Sequence, residues 1–130
     1  MINVLIADND VNYAIMLMNR LNSINNNIKV FNIAIDKNST INIINNNNNI
    51  DVVVLALPMN KQDEDNFFRK IMRKYKDINC FIKLTDNQEK YKDNECNFYS
   101  MNEPKSNLSK NIIKINRLVE EIMSKKRDKK

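Results

Sequence analysis

The residues of this chain best suited to chemistry are the acids of Leu5-Ile-Ala-Asp8-Asn9-Asp10. They close an apolar segment, residues 3–7, that reads as a buried strand. A second apolar run, Asp51-Val-Val-Val-Leu-Ala56, reads as another. Each is followed by a helical pattern, so the two are expected as parallel neighbours whose C-terminal ends open onto one crevice. Ligands bind at that place in an open α/β sheet. A carboxylate there can hold a hard cation, and Asp8 supplies one. At the matching end of the second strand stands Ala56, which can neither carry charge nor bind metal.

The totals narrow the chemistry further. A chain of 130 residues, 42% of them hydrophobic, is one domain with a single sizeable core. It has no His, which excludes imidazole acid–base catalysis, His metal ligands and a phosphohistidine relay within the chain. It has no Gly, which excludes a P-loop and a glycine-rich dinucleotide turn. Asn makes up about a fifth of the residues, and with abundant Ile and Lys this points to an AT-rich genome. Cys80 lies in an apolar strand pattern and Cys96 near a loop, without metal-ligand spacing and with no disulfide expected. There is no signal peptide and no apolar run approaching the roughly 18 residues of a membrane span. The expected location is therefore cytoplasmic, with no membrane contact. The net charge is +5, and most of it sits in Lys125-Lys126-Arg127-Asp128-Lys129-Lys130. Residues 1–124 are expected to fold as the domain, and 125–130 to form a basic tail or the start of a linker.

The elements that must position Asp8 and Ala56 follow from periodicity. Strands are expected at residues 3–7, 28–35, 52–57, 78–84 and 97–101. Between them, helices are expected at residues 12–23, from 37 onward, at 63–76 and at about 87–92. Ala14, Ile15, Met18 and Leu21 carry the helical period of the first, and Phe67, Phe68, Ile71, Met72 and Tyr75 line one side of the third. In the second strand Ile28, Val30 and Asn32 alternate against Phe31, Ile33 and Ile35. A long amphipathic helix, 107 to about 126, closes the chain, with Leu108, Ile112, Ile115, Val119 and Ile122 recurring every three to four residues. Strands alternating with helices give a doubly wound α/β domain, a five-stranded parallel sheet in a three-layer α/β/α sandwich.

Taken together, Leu5-Ile-Ala-Asp8-Asn9-Asp10, Asp51-Val-Val-Val-Leu-Ala56, Leu84-Thr85 and Glu103-Pro104, in this order and spacing, resemble a receiver domain of a bacterial response regulator. The resemblance covers the chain to about Ser124. It implies the flavodoxin-like, CheY-like strand order 2-1-3-4-5, and with the composition it implies a low-GC bacterium. It also implies a site of five groups. Two acids after the first strand and an aspartate ending the third hold Mg²⁺, and that last aspartate takes the phosphoryl group. A Thr or Ser after the fourth strand and a Lys before the Pro after the fifth neutralise the transferring charge.

Carried over to this chain, the pattern is degenerate. Asp8 keeps the first acid and Thr85 the hydroxyl. Asn9 replaces the second acid, Ala56 the nucleophile and Glu103 the lysine. The expectation is a non-enzymatic pseudo-receiver without a cofactor, Asp8 being the one residual candidate for a metal ligand. It would act without phosphorylation, by self-association or by docking on another regulatory protein, in signal transduction or transcription regulation. Tyr99 and the stripe Leu108, Ile112, Ile115, Val119 and Ile122 are candidate contact residues. Nucleic acid would be reached through an output domain beyond this chain. Two other readings stay open: a small molecule or cation held near Asp8, and DNA bound directly by the basic tail.

Overall fold

The computed structural model describes residues 1–84, 98–101 and 106–128, without the side chains of 98–101 and 125–128. In chain order the elements are β1 (Ile2–Ala7), α1 (Val11–Ile24), β2 (Ile28–Ala34), α2 (Lys37–Asn45) and β3 (Val52–Leu55). Then come α3 (Lys61–Lys70), α4 (Met72–Tyr75), β4 (Cys80–Leu84), β5 (Phe98–Met101) and α5 (Leu108–Asp128). The first four strands pair in the order β2-β1-β3-β4, all parallel, and the short β5 runs along β4 from Phe81↔Phe98 to Leu84↔Met101.

Helices cover both faces of this sheet. On one face Val4, Ile6, Val52, Val54 and Ile82 pack against Ala14, Leu17 and Leu21 of α1 and Ile112, Ile115 and Val119 of α5. On the other, Leu5, Val53, Leu55 and Phe81 pack against Ile44 of α2, Phe67 of α3 and Ile71. Central parallel strands buried on both faces need apolar residues throughout, which is why Val52-Val-Val-Leu55 shows no alternation. Cys80 belongs to this interior, and burial pushes its thiol pKa up to about 12.

Tertiary packing moved several side chains from where periodicity put them. In β2 the pairing with β1 slips by one residue, Val4↔Val30 being followed by Leu5↔Asn32. Side chains alternate with period two, so a one-residue slip exchanges the faces of everything after it. Ile33 therefore joins Ile28 and Val30 on the α1 side, whereas Phe31 packs on the opposite side. In α1 the buried face is Tyr13, Ala14, Leu17 and Leu21, so Ile15 points outward and Met18 is half-buried. The helix expected at 63–76 is two pieces, interrupted at the buried Ile71. The break follows an aromatic cluster: Phe68 meets Phe67, Tyr75 and Phe81 edge-on, and Tyr75 stacks on Phe81 with centroids 5.2 Å apart. Seating Tyr75 on β4 leaves Met72 outside, exposed. The helix expected at 87–92 lies outside the described residues.

A chain without glycine must turn by other means, and no described residue has positive φ. Side chains bond the backbone instead. Asn25 accepts from the Asn27 amide at 2.9 Å, between α1 and β2. Asn46 and Asn47 donate to the carbonyls of Asn42 and Ile43 at the end of α2. Asp36 caps the start of α2 in a reciprocal box with Ser39, which bonds back to the Asp36 amide. The Ser39 amide, and then its hydroxyl, hold the Asp36 carboxyl below its ordinary value of 3.8. A lowered folded-state pKa adds stability that is complete above the unfolded value and is lost as pH falls through the folded one. Asn caps helices without titrating. The Tm difference between wild type and Asp36→Asn should thus be steady above about pH 5 and shrink below pH 3.8 in thermal melts followed by circular dichroism.

Candidate functional site

The crevice is built by the side-by-side pairing of β1 and β3. Their register ends at Ala7↔Leu55, and the next residues are Asp8 and Ala56. The Ala56 amide donates to the Ala7 carbonyl at 2.7 Å, and the Asp8 amide to the Ala34 carbonyl of β2 at 2.8 Å. Asp8 is thereby pinned between β2 and β3, fully buried. One of its carboxylate oxygens accepts from the Asp10 amide at 2.9 Å. Asp10 in turn caps α1, accepting from the Tyr13 amide at 3.1 Å. The Asp8-Asn9-Asp10 run therefore acts as a helix-initiating turn, with Asp8 inward and Asn9 and Asp10 exposed.

Ala56 lies beside Asp8 as expected and is buried with the apolar residues of the α1/α5 face. Its methyl group meets hydrocarbon where an ionised side chain would need water or a cation. Thr85 and Glu103 lie outside the described residues, as does the side chain of Tyr99. The helical stripe is committed to the sheet: Ile112, Ile115 and Val119 are buried, and Leu108 and Ile122 pack on the same cluster. That burial removes Ile112, Ile115 and Val119 from the expected contact residues, whereas Leu108 and Ile122 are half-buried. The α1/α5 layer is also tied by a buried polar link, the Asn111 side-chain amide donating to the Tyr13 hydroxyl at 3.2 Å. Among the described residues no cluster of three or more metal-ligating side chains occurs. A pocket lined by Asn3, Phe31, Asn47, Asn48, Asn49 and Ile50 opens at the opposite end of the sheet.

One charged pair near the crevice was not foreseen. Lys83, one residue before the end of β4, makes an ion pair with Glu64 in the first turns of α3. Glu64 is buried, and its Oε2 has no hydrogen-bond partner among the described residues. Lys83 pairs across the sheet with Leu55 on the α3 side, so this charge lies beneath the Ala56 end of β3. A lone cation inside the apolar run 78–84 was the available signal. Its partner nineteen residues away was not legible, because nothing local links α3 to β4.

No protein-family model matches this chain, and no curated protein does. Solved structures do. A chain of the CheX–CheY–BeF3–Mg complex from Borrelia burgdorferi is 21% identical, with TM-score 0.61 and 88% of each chain covered. The receiver domain of the Francisella response regulator 1452 is 22% identical, at TM-score 0.61 over 93% of this chain and 98% of that one. A CheY-like receiver domain protein from Methanospirillum hungatei is 17% identical, at TM-score 0.61 over 92% and 97%. This chain has the receiver-domain fold, an α/β fold with a parallel sheet between helices.

The ion pair yields a stability prediction. Removing one partner of a buried pair costs roughly 3–5 kcal/mol, because the other charge is left in a low-dielectric interior. Lys83→Met should lower the urea-unfolding free energy by about that amount. The double variant Lys83→Met, Glu64→Leu should recover most of it, since two apolar side chains suit the Phe67–Phe81 face.

Proposed function

We propose that this receiver-fold domain regulates by protein contact and without phosphorylation. The observation that carries this reading is Ala56. Phosphoryl transfer to a receiver needs an attacking carboxylate at the end of β3, and here that position holds a buried methyl group beside Asp8. Asn9 removes a second negative charge from a site that would have to hold a divalent cation. Asp8 itself is held inward by the Asp10 amide and serves the turn into α1. With the chemistry gone, what the fold retains is its surface.

On this reading the domain works in signal transduction as a fixed-state partner, by self-association or by docking on another regulatory protein. Its output does not depend on a phosphodonor. Control of transcription through a DNA-binding domain is compatible with the basic end of the chain.

Incubation with acetyl phosphate and Mg²⁺ should leave the intact mass of the protein unchanged. A one-to-one adduct released by hydroxylamine would overturn the reading, and peptide mapping would identify the aspartate that carried it.

A further inference from the structure

The end of the sheet away from Asp8 carries a second concave site. A cavity of about 180 Å³ opens there, lined by Asn3 of β1, Phe31 of β2 and Asn47, Asn48, Asn49 and Ile50 of the segment joining α2 to β3. Phe31 is half-buried and Ile50 buried, both in the cluster on the α2 side of the sheet, and they give the cavity an apolar wall. The rest of the lining is carboxamide. Asn3 donates through Nδ2 to the Asn49 carbonyl at 3.0 Å, which holds the segment against β1. Asn47 donates through Nδ2 to the Ile43 carbonyl at 2.7 Å, and Asn48 accepts through Oδ1 from the Lys74 ammonium. These bonds leave Asn3 Oδ1, Asn47 Oδ1, Asn48 Nδ2 and the Asn49 carboxamide for a ligand. Donors and acceptors without charge, beside an aromatic face, suit a planar heterocycle: its ring stacks on the aromatic side chain and its edge bonds to the amides.

Positive charge flanks the cavity on two sides. The register Asn3↔Lys29 sets the exposed Lys29 beside Asn3, at the sheet edge and on the face that carries Phe31. On the other side Lys74 reaches Asn48, and the Asn45 side chain donates to the Lys70 carbonyl at 3.3 Å. Residues 69–76 hold Arg69, Lys70, Arg73, Lys74 and Lys76 with no acid before Asp77. None of these cations makes an ion pair with a described residue, and all but the half-buried Lys74 are exposed. The adjoining acid, Asp51, is already engaged, accepting from the Asn3 amide at 2.8 Å and from the Asn79 side chain at 3.2 Å. A neutral cavity bordered by cations fits a ligand that is planar and uncharged at one end and anionic at the other. A phosphate monoester carries about −1.5 to −2 charge at pH 7 and pairs strongly with Lys and Arg. Pockets that enclose a drug-sized molecule run from about 300 Å³ upward. This smaller cavity takes the ring and leaves the phosphate outside, on the cations. It offers a single aromatic wall, whereas a nucleic-acid strand is held by a succession of them.

We infer that this cavity binds a nucleoside monophosphate, with the base against Phe31 among the amides and the phosphate on Lys74 and its neighbouring cations. The site lies at the opposite end of the sheet from Ala56, and the inference does not depend on the reading of that position.

The test is isothermal titration calorimetry of the chain at low salt with the common ribonucleoside 5′-monophosphates, their nucleosides and inorganic phosphate. At least one monophosphate should bind one to one, with its nucleoside and inorganic phosphate each about tenfold weaker or more. Phe31→Leu should lower the affinity for that monophosphate roughly tenfold by removing the stacking face, with its salt dependence kept. Lys74→Gln should lower the affinity and flatten the salt dependence, since a screened charge pair is lost. Lys61→Gln, at the other end of α3, should change neither. Melting curves check that the three variants fold. Saturable binding of none of the monophosphates, or binding indifferent to both Phe31→Leu and Lys74→Gln, would overturn the inference. Inorganic phosphate bound as tightly as the monophosphate would reduce the site to a basic patch and overturn it too. A short oligonucleotide of the preferred base bound about a hundredfold tighter than the monophosphate would assign the site to a strand instead.

Discussion

The parallel pairing of β1 with β3 is the constraint on which everything else in this molecule depends. It buries two strands on both faces, which forces Val4, Leu5, Ile6, Val52, Val53, Val54 and Leu55 to be apolar without alternation. It requires crossovers long enough to carry helices, and so places α1 and α5 on one side and α2 and α3 on the other. It also brings Asp8 and Ala56 to the same rim. Each strand end is fixed by a backbone bond to a neighbour, Asp8 to Ala34 and Ala56 to Ala7. The position of the acid is thus a backbone property, maintained whether or not a second acid stands beside it. The backbone bonds that end β1 and β3 are made without any contribution from the side chain at position 56.

Asparagine takes over tasks that glycine performs elsewhere. Among the described residues the glycine-free chain has no left-handed backbone and closes turns with side-chain amides, at Asn25 after α1 and at Asn46 and Asn47 after α2. Asn60 caps α3 in the same manner, accepting from the Asp63 amide at 2.8 Å. The amide side chain both donates and accepts and carries no charge, so it satisfies turn and edge backbone groups without adding electrostatic cost. At the β2 edge the same residue type occupies amides that would otherwise invite a neighbouring strand. A compositional bias read from the sequence as genomic drift has become structural work in the folded chain.

The charged interior runs in the other direction. Lys83 and Glu64 stand where apolar side chains would pack, under the β3 end that carries Ala56. A buried ion pair seldom adds net stability relative to a hydrophobic pair. What it does add is a fixed relation between α3 and β4, because neither charge can move away from the other without large cost. The aromatic cluster of Phe67, Phe68, Tyr75 and Phe81 fastens the same two elements from below. α3 is therefore held to the sheet twice, by charge near the crevice and by rings further down.

The sequence by itself determined the order of the strands, the both-face burial of β1 and β3, and the meeting of Asp8 with Ala56. These follow from local periodicity and from the rule that parallel strands need crossovers, and both act over short stretches of chain. It also determined what position 56 itself can do, since an alanine has no charge in any fold. Only the tertiary structure decided which side chains reach the surface. The slip in β2 sent Ile33 to the α1 side, the face on which α1 packs left Ile15 outside, and the break at Ile71 turned Met72 outward. Each is set by a partner distant in sequence: β1 for the slip, the sheet and α5 for the packed face of α1, and Phe81 for the break. The α5 stripe carried a helical period equally suited to a sheet and to a second helix, and packing assigned it to the sheet. Periodicity shows that a face is apolar; which neighbour covers it is decided by contacts between residues far apart in the chain.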